Sequence, residues 1–350
     1  MAGRRLGAGT MRMATQAADA RARAGWLRSI GVVHEESWNA PDVRRRLQLV
    51  LAGIWLLDAV LQFQAFMFSR GFSQMLGATA AGNPAVIADP INWSAKIIAG
   101  HGTATNAVFA FIQLAIGLGI AWRPTLKLAL GASIVWALGV WWFGEGLGGV
   151  LSGAGGPANG APGAVIIYAL LAVLLWPGRR DRAAPFVAGR FTGPNVARAL
   201  WLVLWGSLAY LALLPATRAP KALGGMVSAM ASGQPGWLSS VDNHLGAFLT
   251  SRGPAVAVVL AVALALVAVS VYLPRPAARA GVALAIVTAA FIWVAEGLGG
   301  MLTGGGTDPN SGPLLALVAV AYWPLATAAV SATGQPDRLA TTQPQSPEGA

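Results

Sequence analysis

WWFGEGLGGVLSGAGGPANGAPG, residues 141–163, and FIWVAEGLGGMLTGGGTDPNSGP, residues 291–313, are two versions of one stretch. Trp142 pairs with Trp293, Glu145 with Glu296, Asn159 with Asn310 and Pro162 with Pro313, each pair 151 positions apart. In both versions an acid closes an apolar helix and a glycine-rich loop follows. The same offset reaches outward from the loops. Gly82-Asn83-Pro84 falls on Gly233-Gln234-Pro235, Met75 on Met226, Asn92 on Asn243, and the Trp122-Arg123-Pro124 turn on Leu273-Pro274-Arg275. A constant register through loops and apolar runs is the mark of a tandem duplication.

The composition says where such a chain lives. It has 350 residues, 55% hydrophobic and 11% charged, with no cysteine and a net charge of +11. Soluble domains carry about 25% charged residues. The deficit implies a lipid bilayer, where a charge at mid-depth is expensive. The missing cysteines exclude disulfides, iron–sulfur clusters, thiol catalysis and c-type haem attachment. The positive charge is expected from loop topology, so no nucleic-acid partner is expected.

Eight apolar runs are expected as transmembrane helices: 47–68, 103–122, 126–143, 163–176, 198–215, 254–273, 280–295 and 312–331. About 20 apolar residues cross a hydrocarbon core, so 163–176 is short and begins inside its loop. Arg70, Lys96, Arg218, Lys221 and Arg252 fall on one side, and the other Lys/Arg of the 24 fall on the opposite side. This bias predicts a plasma-membrane (inner-membrane) protein with both termini cytoplasmic and both glycine loops outside. The expected fold class is an all-α membrane protein of eight transmembrane helices, arranged as two tandem four-helix units in parallel orientation. The units span 47–177 and 198–331. A basic cytoplasmic tail precedes them at 1–46, with a surface helix or a disordered stretch at 20–31. A cytoplasmic linker joins them at 178–197, and a disordered cytoplasmic tail follows at 332–350. Short outer helices are expected within 69–102 and 222–252. Trp122, Trp141, Trp142, Trp176, Trp201 and Trp323 fall near span ends, as interfacial anchors do.

FIQLAIGLGIAWRPTLKLALGASIVWAL, residues 111–138, resembles the DoxX/DoxD-like membrane proteins. Gly117-Leu118-Gly119 at the end of the second span and Arg123 in the basic turn stand at matching places. This chain has two units where that family has one. The resemblance implies a redox- or quinone-associated membrane subunit, with quinone as the cofactor and another membrane or redox subunit as partner.

The polar residues supply the candidate sites. Glu145 and Glu296 close helices at the C-terminal end, where the helix dipole disfavours a carboxylate. Each is a candidate proton carrier or cation ligand, or else it binds loop amides and fixes a re-entrant turn. Asn159 and Asn310, with Asp308, are the remaining polar loop side chains, and TDPNSGP is a turn signal. Asp58 lies within the first span with Gln62 one turn on. An intramembrane acid is a functional candidate by default. Its counterpart 151 positions on is Ala209, and the counterparts of Gln62 and Gln113 are Leu213 and Leu264. Either the first unit carries a proton or ligand path, or Asp58 is bonded to Gln113 or a Trp indole. His101 and His244 do not correspond, and no metal site is expected. The function classes that remain are a quinone-associated subunit, a transporter or channel for a small solute or ion with paired acids at its outer mouth, and a membrane scaffold subunit.

Overall fold

The computed structural model describes residues 42–178 and 184–325. The expected surface helix at 20–31, nearly all of the 1–46 tail, Arg179, Arg180 and Arg182 of the linker, and the 332–350 tail lie outside the described residues. The regular secondary structure of the described residues is all helix. Its helices are α1 Val43–Leu61, α2 Arg70–Ala78, α3 Ala85–Ala121, α4 Leu126–Phe143, α5 Ala164–Leu174, α6 Gly189–Thr192, α7 Pro194–Ala212, α8 Pro215–Arg218, α9 Ala222–Met230, α10 Gly236–Ser270, α11 Arg275–Ala295 and α12 Ser311–Ala321.

Five stretches are long and apolar enough to cross a bilayer: α3, α4 with the short turn before it, α7, α10 and α11. The chain is therefore an all-α, multi-pass membrane protein. The other three expected spans differ for identifiable reasons. α1 carries Arg44, Arg45, Arg46 and Asp58, which lower its hydropathy, and it stops at Leu61 rather than running on to 68. α5 and α12 have 11 residues each, so each is only about 16 Å long. That is half the hydrocarbon thickness of about 30 Å. The glycine loops thus lead into half-length helices, and α12 ends at Ala321 rather than continuing to 331.

The two long helices run past the points where the sequence expects spans to begin, α3 with a kink there and α10 with a proline. α3 has 37 residues, with His101 at φ −135°, ψ 35° inside it. α10 has 35 residues and contains Pro254, which cannot supply a backbone donor. The segments before these points pack with α2 and α9 respectively, forming a cap at the end of the bundle that bears the glycine loops. α2 and α9 are short helices within the connections 69–102 and 222–252, where the sequence expects them.

Small residues set the helix spacing, because burial in lipid supplies little drive for helix association. A Cβ on Gly117 would lie 2.8 Å from Leu56 and 3.1 Å from the Ala52 carbonyl, so this glycine lets α3 approach α1. A Cβ on Gly119 would lie 2.7 Å from the Ala129 Cβ at the α3–α4 crossing. At the opposite end from the glycine loops, polar side chains satisfy helix C-terminal carbonyls. Arg45 donates to Ile120 at 2.9 Å and also to Ala121, Gln48 to Leu175 at 2.8 Å, and Arg198 to Val271 at 3.2 Å. These basic residues therefore cap helices as well as biasing charge. Trp201 is not an interfacial anchor: it is fully buried, and its indole donates to Val267 at 2.8 Å.

Helix bounds recur at the sequence offset. Pro194–Ala212 lies 151 positions after Val43–Leu61, and the tight turn Gly297–Gly300 lies 151 after Gly146–Gly149. The register then changes. A Cβ on Gly148 would run into Pro162, and one on Gly299 would lie 2.7 Å from Pro309. Gly163 and Asn310, both at positive φ, precede α5 and α12. Pro162 thus corresponds to Pro309 and Gly163 to Asn310, so the expected pairs Pro162/Pro313 and Asn159/Asn310 are not equivalent. The first loop holds four extra residues, accommodated by a helical turn at Pro157–Asn159.

Candidate functional site

Each EGLGG segment forms a single left-handed turn. Gly146, Leu147, Gly148 and Gly149 have φ of 58°, 54°, 64° and 69°, and Gly297, Leu298, Gly299 and Gly300 have 58°, 53°, 70° and 65°. Left-handed backbone costs an L-residue roughly 1–2 kcal/mol, so three of every four positions being glycine is a requirement of the turn. The turn reverses the chain and sends the loop back into the bundle.

This reversal gives the two glutamates a second helix to address. Glu145 Oε1 accepts from the Val165 backbone N–H at 3.2 Å, at the start of α5. Glu296 Oε1 accepts from the Ser311 hydroxyl at 2.7 Å, at the start of α12. Each acid leaves the C-terminus of one helix and binds the N-terminus of the next, where the dipole favours negative charge. Burial is the main reason both carboxyls are pushed up to about 8. For Glu145 the Asp308 charge adds to this; for Glu296 the Ser311 bond opposes burial before Asp308 adds. Each glutamate is thus hydrogen-bonded within its own loop, and the Glu296 charge adds a further, smaller push on Glu145.

The other loop residues build turns. Asp308 Oδ1 accepts from the Asn310 backbone N–H at 2.6 Å, and its Oδ2 accepts from the Thr307 hydroxyl at 2.8 Å. Asn310 Oδ1 accepts from the Ser311 N–H at 2.8 Å. Asn159 accepts from Gly156 N–H at 2.5 Å and donates to the Ala154 carbonyl at 2.8 Å. Among the described residues no group of histidines and acids has the arrangement to hold a metal ion.

The distal part of each loop crosses to the other half of the chain. Gly156 abuts Thr217, Ala158 packs with Leu223, Val227, Leu249, Ala257 and Ala295, and a Cβ on Gly160 would lie 3.3 Å from Asn310. Reciprocally, Gln64 donates to the Gly306 carbonyl at 3.2 Å, and Gly305 rests against Phe66.

Asp58 has a different environment. Because α1 ends at Leu61, Asp58 lies in its last turn rather than at mid-span, and Gln62 is the residue that caps the helix. The Tyr168 hydroxyl on α5 donates to Asp58 Oδ2 at 2.6 Å, and Trp55 packs on the Tyr168 ring with centroids 4.4 Å apart. This is the partner sequence reasoning missed; Gln113 and the indoles were the expected ones. A tyrosine inside an apolar helix needs a partner for its hydroxyl, and that was the available signal. Asn106 on α3 was also missed; its amide donates to the Gln62 carbonyl at 2.6 Å. Gln113 lies two turns further along the same helix. Asp242 on α10 is buried with both carboxylate oxygens unbonded, apart from this group.

The structure thus brings Asp58, Gln62 and Asn106 together with Tyr168 and Trp55. It leaves Glu145, Glu296, Asn159 and Asn310 in the loops, with Asp308 bearing electrostatically on Asp58 and on both glutamates. No protein family, curated protein or solved structure matches the chain.

Proposed function

We propose that the protein is a transporter or channel for a small solute or ion in a cell's plasma membrane, with Asp58 as the charge that the permeating or coupling ion meets. One observation carries this reading: a sealed carboxylate with a single hydrogen-bonded oxygen, set among buried amides in an otherwise apolar bundle. Ionisable groups placed this way mark ion and substrate paths. We read the architecture as two tandem four-helix units in parallel orientation, eight membrane-inserted helices in all, of which α5 and α12 are half-length. The recurrence of helix bounds supports that reading, and the lysine and arginine distribution supports cytoplasmic termini. Half-length helices ending in irregular backbone are used where a bundle encloses a polar cavity.

The test is reconstitution into liposomes, with charge movement recorded on sudden changes of proton, sodium or potassium concentration. Wild type should give a current that Asp58→Asn removes and Asp89→Asn, on an exposed site, keeps. Folded wild-type protein that moves no charge and releases no solute would sink the reading.

A second reading follows the DoxX-like resemblance: a redox-associated subunit that binds quinone. The Trp55–Tyr168 pair favours it, since an aromatic face beside a hydroxyl and a carboxylate suits a quinone head group. Unaltered quinol-linked electron flow in membranes lacking the protein would count against it.

A further inference from the structure

Buried polar atoms without partners occur in several places among the described residues, with oxygens of four side chains gathered on or beside α1 and α3 and the Trp55 indole N–H also unpaired there. Asp58, Gln62, Asn106 and Gln113 are 2%, 4%, 0% and 8% exposed, and each has one oxygen that accepts no hydrogen bond. These are Asp58 Oδ1, Gln62 Oε1, Asn106 Oδ1 and Gln113 Oε1. Buried polar atoms are normally paired, so four unpaired acceptors within two packed helices call for something that donates or carries positive charge.

Three of the four belong to one place. Asp58 and Gln62 are a helical turn apart on α1, so they share a face. Asn106 is tied to the same turn through its bond to the Gln62 carbonyl at 2.6 Å. The turn is the C-terminus of α1, where the helix dipole is negative and carbonyls lack intrahelical donors. Gln113 stands about 10 Å deeper along α3 than Asn106.

The second half of the chain provides an internal comparison. The positions 151 residues on from Asp58, Gln62, Asn106 and Gln113 are Ala209, Leu213, Ala257 and Leu264. α7 ends at Ala212 as α1 ends at Leu61; Ala209, Ala257 and Leu264 are buried, while Leu213, unlike Gln62, is exposed. A helix pair of this length and packing therefore forms with hydrocarbon in those places, and the oxygens of the first half are not needed to build it.

We propose that Asp58 Oδ1, Gln62 Oε1 and Asn106 Oδ1, at the C-terminus of α1, bind one monovalent metal cation, sodium being the best fit. One carboxylate with neutral amide oxygens balances a single positive charge. Calcium and magnesium take six or more oxygens, usually with several carboxylates. Gln113 is then a deeper station on the same path. The proposal rests on the transport reading, for which it names the coupling ion.

The experiment is thermal unfolding of the purified full chain in detergent, followed by tryptophan fluorescence, in sodium, lithium, potassium or choline chloride at equal ionic strength. Wild type should melt several degrees higher in sodium than in choline, with a saturable dependence on sodium. Asn106→Ala and Gln62→Leu, which install the residues of the second half, should weaken the apparent sodium affinity at least tenfold. Asp58→Asn should abolish the shift, and the first two variants decide the matter if that protein does not fold. Equal melting of wild type in all four salts, or a full sodium shift in Asn106→Ala and Gln62→Leu, would overturn the proposal. The two ideas fail separately. Asp58-dependent flux without a cation shift removes the sodium site and leaves transport, whereas a cation shift in a protein that moves nothing does the reverse.

Discussion

The Tyr168 hydroxyl reaches Asp58 Oδ2 at 2.6 Å, joining α5 to α1 across 110 residues of chain. A buried hydrogen bond to a charged or chargeable group contributes about 1.5–3 kcal/mol, and orphaning one partner costs more than removing both. Tyr168→Phe is therefore expected to lower stability by about 1–3 kcal/mol. The double variant Asp58→Ala, Tyr168→Phe should lose less than the two single losses added together. Melting temperatures of the four proteins in one detergent measure the coupling; strict additivity would mean that the bond contributes nothing.

The left-handed EGLGG turns give a second expectation. An alanine at 148 would combine φ +64° with a clash against Pro162, and an alanine at 299 would meet Pro309. Gly139 has open space around the place a Cβ would take. Gly148→Ala and Gly299→Ala should each lose roughly 2–4 kcal/mol or fail to accumulate, from strain plus displaced backbone. Gly139→Ala should be neutral or slightly stabilising, as alanine usually is within a helix. Yield and melting temperature report both.

The two glutamates set a pH dependence whose sign can be worked out. Their folded values are raised to about 8 from 4.5, chiefly by burial. Between these limits the folded chain binds more protons than the unfolded one, so stability falls as pH rises through that window. Melting temperature should drop from pH 5 to pH 8, and Glu145→Gln with Glu296→Gln should flatten the slope. A slope unchanged in the double variant would show the glutamates to be ionised already at pH 5.

Asp42 and Arg190 act in the opposite sense. Their ion pair at 2.5 Å ties the start of α1 to α6. Burial raises the Asp42 carboxyl, but the Arg190 bond and charge outweigh it and hold the carboxyl below its usual 3.8. The stability it supplies is complete above about pH 4 and fades as pH falls through the lowered value. Arg190→Gln should remove this acid-limb contribution, costing under about 1 kcal/mol at neutral pH, since the pair is partly exposed.

Gly117 tests helix packing. A side chain there meets the Ala52 carbonyl, which is backbone and cannot swing aside as Leu56 can. Gly117→Ala is expected to cost about 1–3 kcal/mol by overpacking and to weaken the α1–α3 contact that holds Asn106 beside Gln62. Retained melting temperature in this variant would show that the two helices have slack.

The helices were legible in the sequence wherever apolar length decided the matter. The expected 126–143 is α4 residue for residue, and the recurrence at 151 positions matches α1 with α7. What sequence could not show was the depth of the loops. The window around Tyr168 already read as short, but that around Val318 read as a full span, and only the backbone shows both helices stopping after 11 residues, at Leu174 and Ala321. The site shifted accordingly. Glu145 and Glu296 stood out because they recur, and both turn out to accept hydrogen bonds at the starts of α5 and α12. Asp58 drew notice only as an acid in an apolar run, Asn106 gave no signal, and neither has a polar counterpart 151 positions on.

The crossing of the loops has a consequence for how the molecule holds together. Gly156, Ala158 and Gly160 lean on one half, Gly304 to Gly306 on the other, and each loop belongs to the half it leaves. The arrangement is a reciprocal clasp, like two people gripping each other's wrists. Cutting the chain between 178 and 184 would leave two fragments, each with a half-length helix whose loop has lost its seat. Neither fragment would be a smaller version of the whole, and co-expression would restore what covalent continuity now provides.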